Sequence, residues 1–182
     1  AAGFDVIIVE TVGVGQSETA VANMTDIFCL LQLPNAGDDL QGIKKGIMEL
    51  ADLVVVNKAD IDVAATTRAQ AQLKTALHML RPASPNWSPP VLTLSALRKQ
   101  GIADFWRTVC DYRATMSKSG EFDAKRRHQA LAWMWDLIDA GLRARFRSHP
   151  QVRSELPELA EAVERGETTP SAAALRLLHH LN

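Results

Sequence analysis

The residues with the most specific chemistry are Asn57, Lys58 and Asp60, in the run NKAD that closes the apolar stretch DLVVVN (residues 52–57). A carboxylate at the end of a buried strand can accept from both the ring N1–H and the exocyclic amine of guanine, an array that adenine does not offer. Asp60 would then discriminate by leaving the mismatched polar groups of a wrong base unpaired. Asn57 is expected to tie neighbouring loops together, and the alkyl stem of Lys58 to lie over the purine face. The plain alternative is that Asp60 only caps the following helix. Upstream, VIIVETVGVGQSE (residues 6–18) places Glu10 at the end of an aliphatic run, with Gly13 three residues on and Gln16 beyond. In nucleotide hydrolases a carboxylate so placed holds Mg²⁺, usually through its water shell, and such a glycine lets a backbone N–H approach a γ-phosphate. Ordinary strand punctuation would look the same. Ser95 closes the last apolar segment and Ala96 and Leu97 follow it; a backbone N–H near Ala96 could meet a guanine O6 there, but the stretch by itself says little.

These residues need a scaffold that gathers strand ends. DVIIVE (residues 5–10), IFCLLQL (27–33), DLVVVN (52–57) and VLTLS (91–95) are continuously apolar instead of alternating, the pattern of fully buried strands in a parallel sheet covered on both faces. Helix-forming stretches at residues 17–23, 40–50 and 62–80 alternate with them. The expected architecture is a doubly wound α/β sheet, whose ligands bind at the carboxyl ends of the strands. After residue 102 the pattern is all helix. Phe105, Val109 and Tyr112 share one face of a first helix; Leu131, Trp135, Ile138 and Leu142 recur in a second, at 123–147, which Pro150 ends. A third, acidic helix is expected at 154–165 with Gly166 as its C-terminal cap, and a last one from Thr169 and Pro170 to about His180.

Composition narrows the function. A net charge of −1 over 182 residues argues against a nucleic-acid binder that works by bulk electrostatics, and 47% hydrophobic residues exclude general disorder. The longest stretch without a charged side chain, residues 82–97, contains four prolines, so no membrane span is expected. Cys29 and Cys110, outside any CxxC pair, read as reduced core thiols of a cytoplasmic protein. The opening AAGFDVIIVE has no initiator Met and falls directly into a strand pattern, as though a longer protein had been cut.

Together ETVGVGQSE, the long run LPNAGDDLQGIKKGIMELADLVVVNKAD and LSAL resemble the MeaB/ArgK family of G3E GTPases within the SIMIBI-class P-loop NTPases. The resemblance covers nearly the whole chain and accounts for a glutamate, Glu10, where most GTPases have aspartate. It implies a chaperone GTPase for adenosylcobalamin-dependent acyl-CoA mutases such as methylmalonyl-CoA mutase, binding GTP or GDP with Mg²⁺; adenosylcobalamin enters only through the partner mutase. By position it implies a switch with Glu10 near Mg²⁺, Gly13 near the γ-phosphate and Gln16 positioning water. It further implies a guanine pocket of Asn57, Lys58, Asp60, Ser95, Ala96 and Leu97. A third, mutase-facing switch would span PNAGDDLQGIKK, with Asn35, Asp38, Asp39, Gln41, Lys44 and Lys45. That run also reads by itself as a mobile polar loop at a strand end. Older names for such sequences, lysine/arginine/ornithine transport ATPase or kinase, form one alternative, and a non-catalytic mutase-docking module forms another.

None of the ten glycines is followed by lysine, so the phosphate-cradling G-x-x-x-x-G-K-[ST] motif is absent. The expected sheet therefore lacks its P-loop strand, and the chain alone is expected not to hydrolyse GTP. The expected division is a partial GTPase domain at 1–118 and a helical dimerisation arm at 119–182. In the arm Trp133 and Trp135 fall on different faces, and with Met134, Ile138, Leu142 and Phe146 they give more apolar girth than a one-sided surface helix needs. A homodimer through this helix is expected, burial within its own bundle being the alternative. Arg143, Arg145 and Arg147, and Glu155, Glu158, Glu161 and Glu164, read as solvated faces. His179 and His180 are adjacent on a helix and diverge, so they are not expected to share a metal.

Overall fold

A computed structural model describes residues 3–11, 17–34, 45–80 and 83–181. The chain forms two compact units, residues 1–129 and 130–182. In the first, α1 (Ser17–Met24), β1 (Cys29–Gln32), α2 (Lys45–Leu50), β2 (Leu53–Val56), α3 (Val63–His78), β3 (Val91–Thr93) and α4 (Ile102–Ser119) alternate as expected. The strands form one parallel sheet in the order β1-β2-β3, with Leu30 opposite Val54 and Val55 opposite Leu92.

The central strand explains the apolar run that builds it. Leu53, Val54, Val55 and Val56 are all fully buried, and because strand side chains alternate, they feed two different cores. Val54 and Val56 pack with Ala22, Phe28, Met48, Ala69 and Leu73, under α1, α2 and α3. Leu53 and Val55 pack with Leu94 and, more peripherally, with Leu92, Phe105 and Val109, under α4. Each buried aliphatic side chain stabilises by about 1.5–3 kcal/mol. The sheet is thus covered on both faces, which holds the carboxyl ends of β2 and β3 side by side.

The sequence misleads in several places. Residues 5–10 are not a strand: they are irregular, with Val6, Ile7, Ile8 and Val9 between 45% and 88% exposed. An apolar run becomes a strand only against a neighbour, and no described strand pairs with this one. For the same reason β1 is shorter than its apolar run and only half-buried: it lies at the edge of the described sheet, with Leu31 59% exposed. Cys110 is exposed, so only Cys29 is a partly buried thiol.

At the opposite ends of the strands, Asp52 gathers a polar cluster. Its carboxylate accepts from the Phe28 amide (2.9 Å), the Tyr112 hydroxyl (3.1 Å) and the Lys125 ammonium (3.2 Å). The Trp87 indole donates to its carbonyl and stands edge-on to Tyr112. Beside it, Arg126 makes a two-pronged pair with Asp26 (2.8 and 2.6 Å), and Gln129 donates to the Thr25 carbonyl. These bonds root the first turns of α5 (Glu121–Ser148), which follows α4 after Gly120 at φ +78°.

The second unit holds the rest of α5, together with α6 (Pro150–Glu164) and α7 (Pro170–His179), which pack on each other and bury Val152, Ala173 and Leu177. α6 starts at Pro150, four residues before its expected start, because proline is well suited to a first helical position. Gly166 at φ +71° ends the α6 region, its amide donating to Val163, and Thr169 caps α7 by accepting from the Ala172 amide. Glu155 is not simply solvated: it pairs with Arg176 at 3.0 Å and lies 3.3 Å from His180. α5 buries none of its residues. Trp133 and Trp135 are 67% and 59% exposed, so neither is buried within the helix's own bundle. No helix among the described residues is long and apolar enough to cross a membrane.

Candidate functional site

Two loops meet where β2 and β3 end. Asn57 sits immediately after β2, and its side-chain oxygen accepts from two amides, that of Lys58 (2.7 Å) and that of Ala96 (3.2 Å) in the loop after β3. The link is reinforced through the backbone, where the Ala59 amide donates to the Leu94 carbonyl at 3.0 Å. Lys58 adopts φ +60°, a left-handed conformation that costs a non-glycine residue on the order of 1 kcal/mol and survives only where its surroundings hold it. The tie expected of Asn57 therefore has a definite geometry here.

Asp60 follows one residue later, and it does not cap α3. Asp62 does, its carboxylate accepting from the Ala65 amide at 2.8 Å. Asp60 instead faces the second loop. The Ser95 side chain is the largest influence on Asp60 and holds its carboxyl below the usual carboxylate value; desolvation opposes this, and a backbone group and the charge of Arg98 add to it more weakly. Ser95 is itself buried and accepts from the Arg98 amide at 3.1 Å. The result is an ionised acceptor on a fixed loop, beside the exposed side chains of Lys58 and of Leu97, which is 84% exposed.

The second loop is closed on itself. Ser95 and Gln100 exchange both backbone bonds (3.0 and 3.1 Å), Lys99 takes φ +56°, and Gly101 takes φ +77°. A Cβ on Gly101 would lie 2.8 Å from the Thr93 carbonyl, so only glycine lets α4 start this close to β3. Arg98 and Gly101 were not singled out by sequence reasoning. The signal was present in SALRKQG, a cation three positions after the serine and a glycine closing the turn, but its meaning depends on backbone angles.

The remaining candidates stand apart. Glu10 lies in the exposed irregular segment, and among the described residues no hydrogen bond or ion pair joins it to the Asn57–Asp60 or Ser95–Leu97 loops. Gly13 and Gln16, and Asn35, Asp38, Asp39, Gln41 and Lys44, lie outside the described residues; the backbone of Lys45 begins α2. Among the described residues no cluster of three or more His, Cys, Asp or Glu side chains converges as a metal site.

The arrangement suits a planar heterocycle with adjacent N–H donors: a carboxylate acceptor, a backbone amide on the facing loop, and an alkyl stem. Comparison with known proteins gives the family. Residues 1–151 match the family model described as methylmalonyl Co-A mutase-associated GTPase MeaB. A putative GTPase of Caulobacter vibrioides is 51% identical over 178 residues, which is 98% of this chain and 55% of that protein. The mitochondrial methylmalonic aciduria type A homolog of Mus musculus is 46% identical over 177 residues, covering 97% of this chain and 43% of that protein. A crystal structure of an LAO/AO transport system kinase superposes with a TM-score of 0.74 at 36% identity, covering 99% of this chain and 58% of that one. The chain spans about half the length of the curated relatives it matches.

Proposed function

The chain belongs to the family of MeaB, the methylmalonyl Co-A mutase-associated GTPase, and from that premise we propose that the whole protein is a GTPase attending an adenosylcobalamin-dependent acyl-CoA mutase. The observation that carries the nucleotide part is the junction at Asn57, whose oxygen holds the Lys58 and Ala96 amides together while Asp60 stands ionised beside them. Asp60 reads the N1–H and exocyclic amine of guanine, the Lys58 stem and Leu97 flank the ring, and the Ala96 region receives O6. A mismatched base leaves these polar groups unpaired, which is how a site built on hydrogen bonds rejects analogues.

In the whole protein, GTP and GDP bind with Mg²⁺, with Glu10, Gly13 and Gln16 serving the phosphate side and residues 34–45, including Asp38, Asp39 and Lys44, forming the mutase-facing switch. Mg²⁺ held there would neutralise the charge that develops on the phosphates. Residues 1–118 form the nucleotide part and 119–182 a dimerisation arm. GTP hydrolysis times docking and release of the mutase, so that the cofactor is loaded and protected in sequence. The 182 residues alone, without a Gly-Lys-Ser/Thr phosphate loop, do not hydrolyse GTP at a meaningful rate.

The test is co-sedimentation of the whole protein with the cognate acyl-CoA mutase in the presence of GDP, of a non-hydrolysable GTP analogue, or of neither. A complex whose stability depends on which guanine nucleotide is bound is expected. A complex indifferent to nucleotide would leave a docking module without a GTPase cycle, and no complex at all would remove the mutase from the account.

A further inference from the structure

Arg98 is the one charged side chain within ion-pair distance of Asp60 among the described residues, at 3.8 Å from Nε to Oδ2. Lys58 and Lys99, in the same two loops, make no ion pair with it. Three features place the guanidinium there. The Arg98 amide is bonded to the Ser95 hydroxyl oxygen, the Ser95–Gln100 backbone pair closes the turn, and Gly101 allows that turn to sit against β3. The separation also has a meaning of its own. At 3.8 Å the pair feels charge but lies beyond hydrogen-bond distance, so Arg98 leaves the acceptor positions of Asp60 to others.

We infer that Arg98 is a positioning residue of base recognition, steadying the Asp60 carboxylate by its charge without taking up the acceptor positions that the base would use. The inference rests on the reading of Asp60 as the base-reading carboxylate. Arg98 acts on Asp60 through charge without a hydrogen bond, and a carboxylate with about four acceptor sites retains enough for two base donors. Asp60 is held low by Ser95 first and by Arg98 in addition, so the charge of Arg98 extends recognition toward acid. The sign follows from linkage. Recognition needs the carboxylate, removal of the cation raises the carboxyl toward its ordinary value, and the acid limb of binding therefore moves to higher pH.

The experiment measures binding of fluorescent GDP to the whole protein across the acid range, for the unaltered protein, Arg98→Gln and Arg98→Lys. Arg98 is exposed, with 68% of its side chain accessible, so both variants keep the fold. At low salt Arg98→Gln is expected to weaken GDP by roughly two- to fivefold, the range of an exposed ion pair, and to shift the acid limb upward. Arg98→Lys restores most of both, because charge and not fork geometry acts at this distance. Salt at about 1 M removes the difference between the proteins. Superimposable profiles for the unaltered protein and Arg98→Gln, tighter binding by Arg98→Gln, or failure of Arg98→Lys to rescue would each overturn the inference. If the unaltered protein fails to prefer GDP over ADP, the guanine reading of Asp60 falls, and the role of Arg98 falls with it.

Discussion

At the residue scale, the parts of the candidate site that depend on side-chain type were legible in the sequence, and the parts that depend on backbone angle were not. NKAD after an aliphatic run pointed to Asn57 as a tie and Asp60 as an acceptor, and Asn57 does join the loops after β2 and β3 through the Lys58 and Ala96 amides. Lys58 at φ +60° and Gly101 at φ +77° carry no such signature, because many residues visit a loop but few loops demand a left-handed one. The cysteines show the same limit. Both sit in apolar or helical patterns, yet burial pushes the Cys29 thiol up to about 11 while Cys110 is exposed on α4. A thiol reagent at about pH 8 is therefore expected to modify Cys110 rapidly and Cys29 only after unfolding, since the thiolate is the reacting form. Peptide mapping of the native protein checks this; modification of Cys29 at the rate of Cys110 would contradict the partial burial of its thiol.

At the element scale, periodicity located β2, β3, the helices on both faces of the sheet and the Thr169-Pro170 start of α7, because each is decided by burial or by capping within a few residues. It failed at residues 5–10. Continuous aliphatic runs there and in β2 look alike, but β2 has a neighbour on each side and residues 5–10 have none among the described strands. A strand is a relation between segments, so one segment cannot announce it. α5 raises the converse question, since its pattern promised a buried side and the structure buries none of its residues. Leu131, Trp133, Trp135, Leu137 and Leu142 are each more than half exposed, and aromatic side chains of this kind contribute 150–250 Å² apiece when covered. We propose that a second copy covers them. Sedimentation equilibrium of the whole protein is expected to give a dimer, and Trp133→Ser with Trp135→Ser a monomer of unchanged helical content. A monomeric parent, or a dimer that survives both substitutions, would reject the arm as the interface.

At the scale of the whole molecule, family and fold were legible because several motifs occur in order over nearly the full chain, which chance seldom produces. The 0.74 TM-score to a P-loop relative fits the parallel sheet and its helices. Membership of the family does not by itself say which base Asp60 reads, and that is the central claim. It rests on two joined loops, a buried serine and a carboxylate held ionised. The most direct test is competition of GDP, inosine diphosphate and ADP for the whole protein, repeated with Asp60→Ala. The expected result is an order GDP, then inosine diphosphate, then ADP, with at least about a hundredfold between the first and last, because unpaired polar groups penalise the wrong base. In Asp60→Ala that preference collapses while the fold persists. Equal binding of GDP and ADP by the unaltered protein, or a guanine preference that outlives Asp60, would contradict the account.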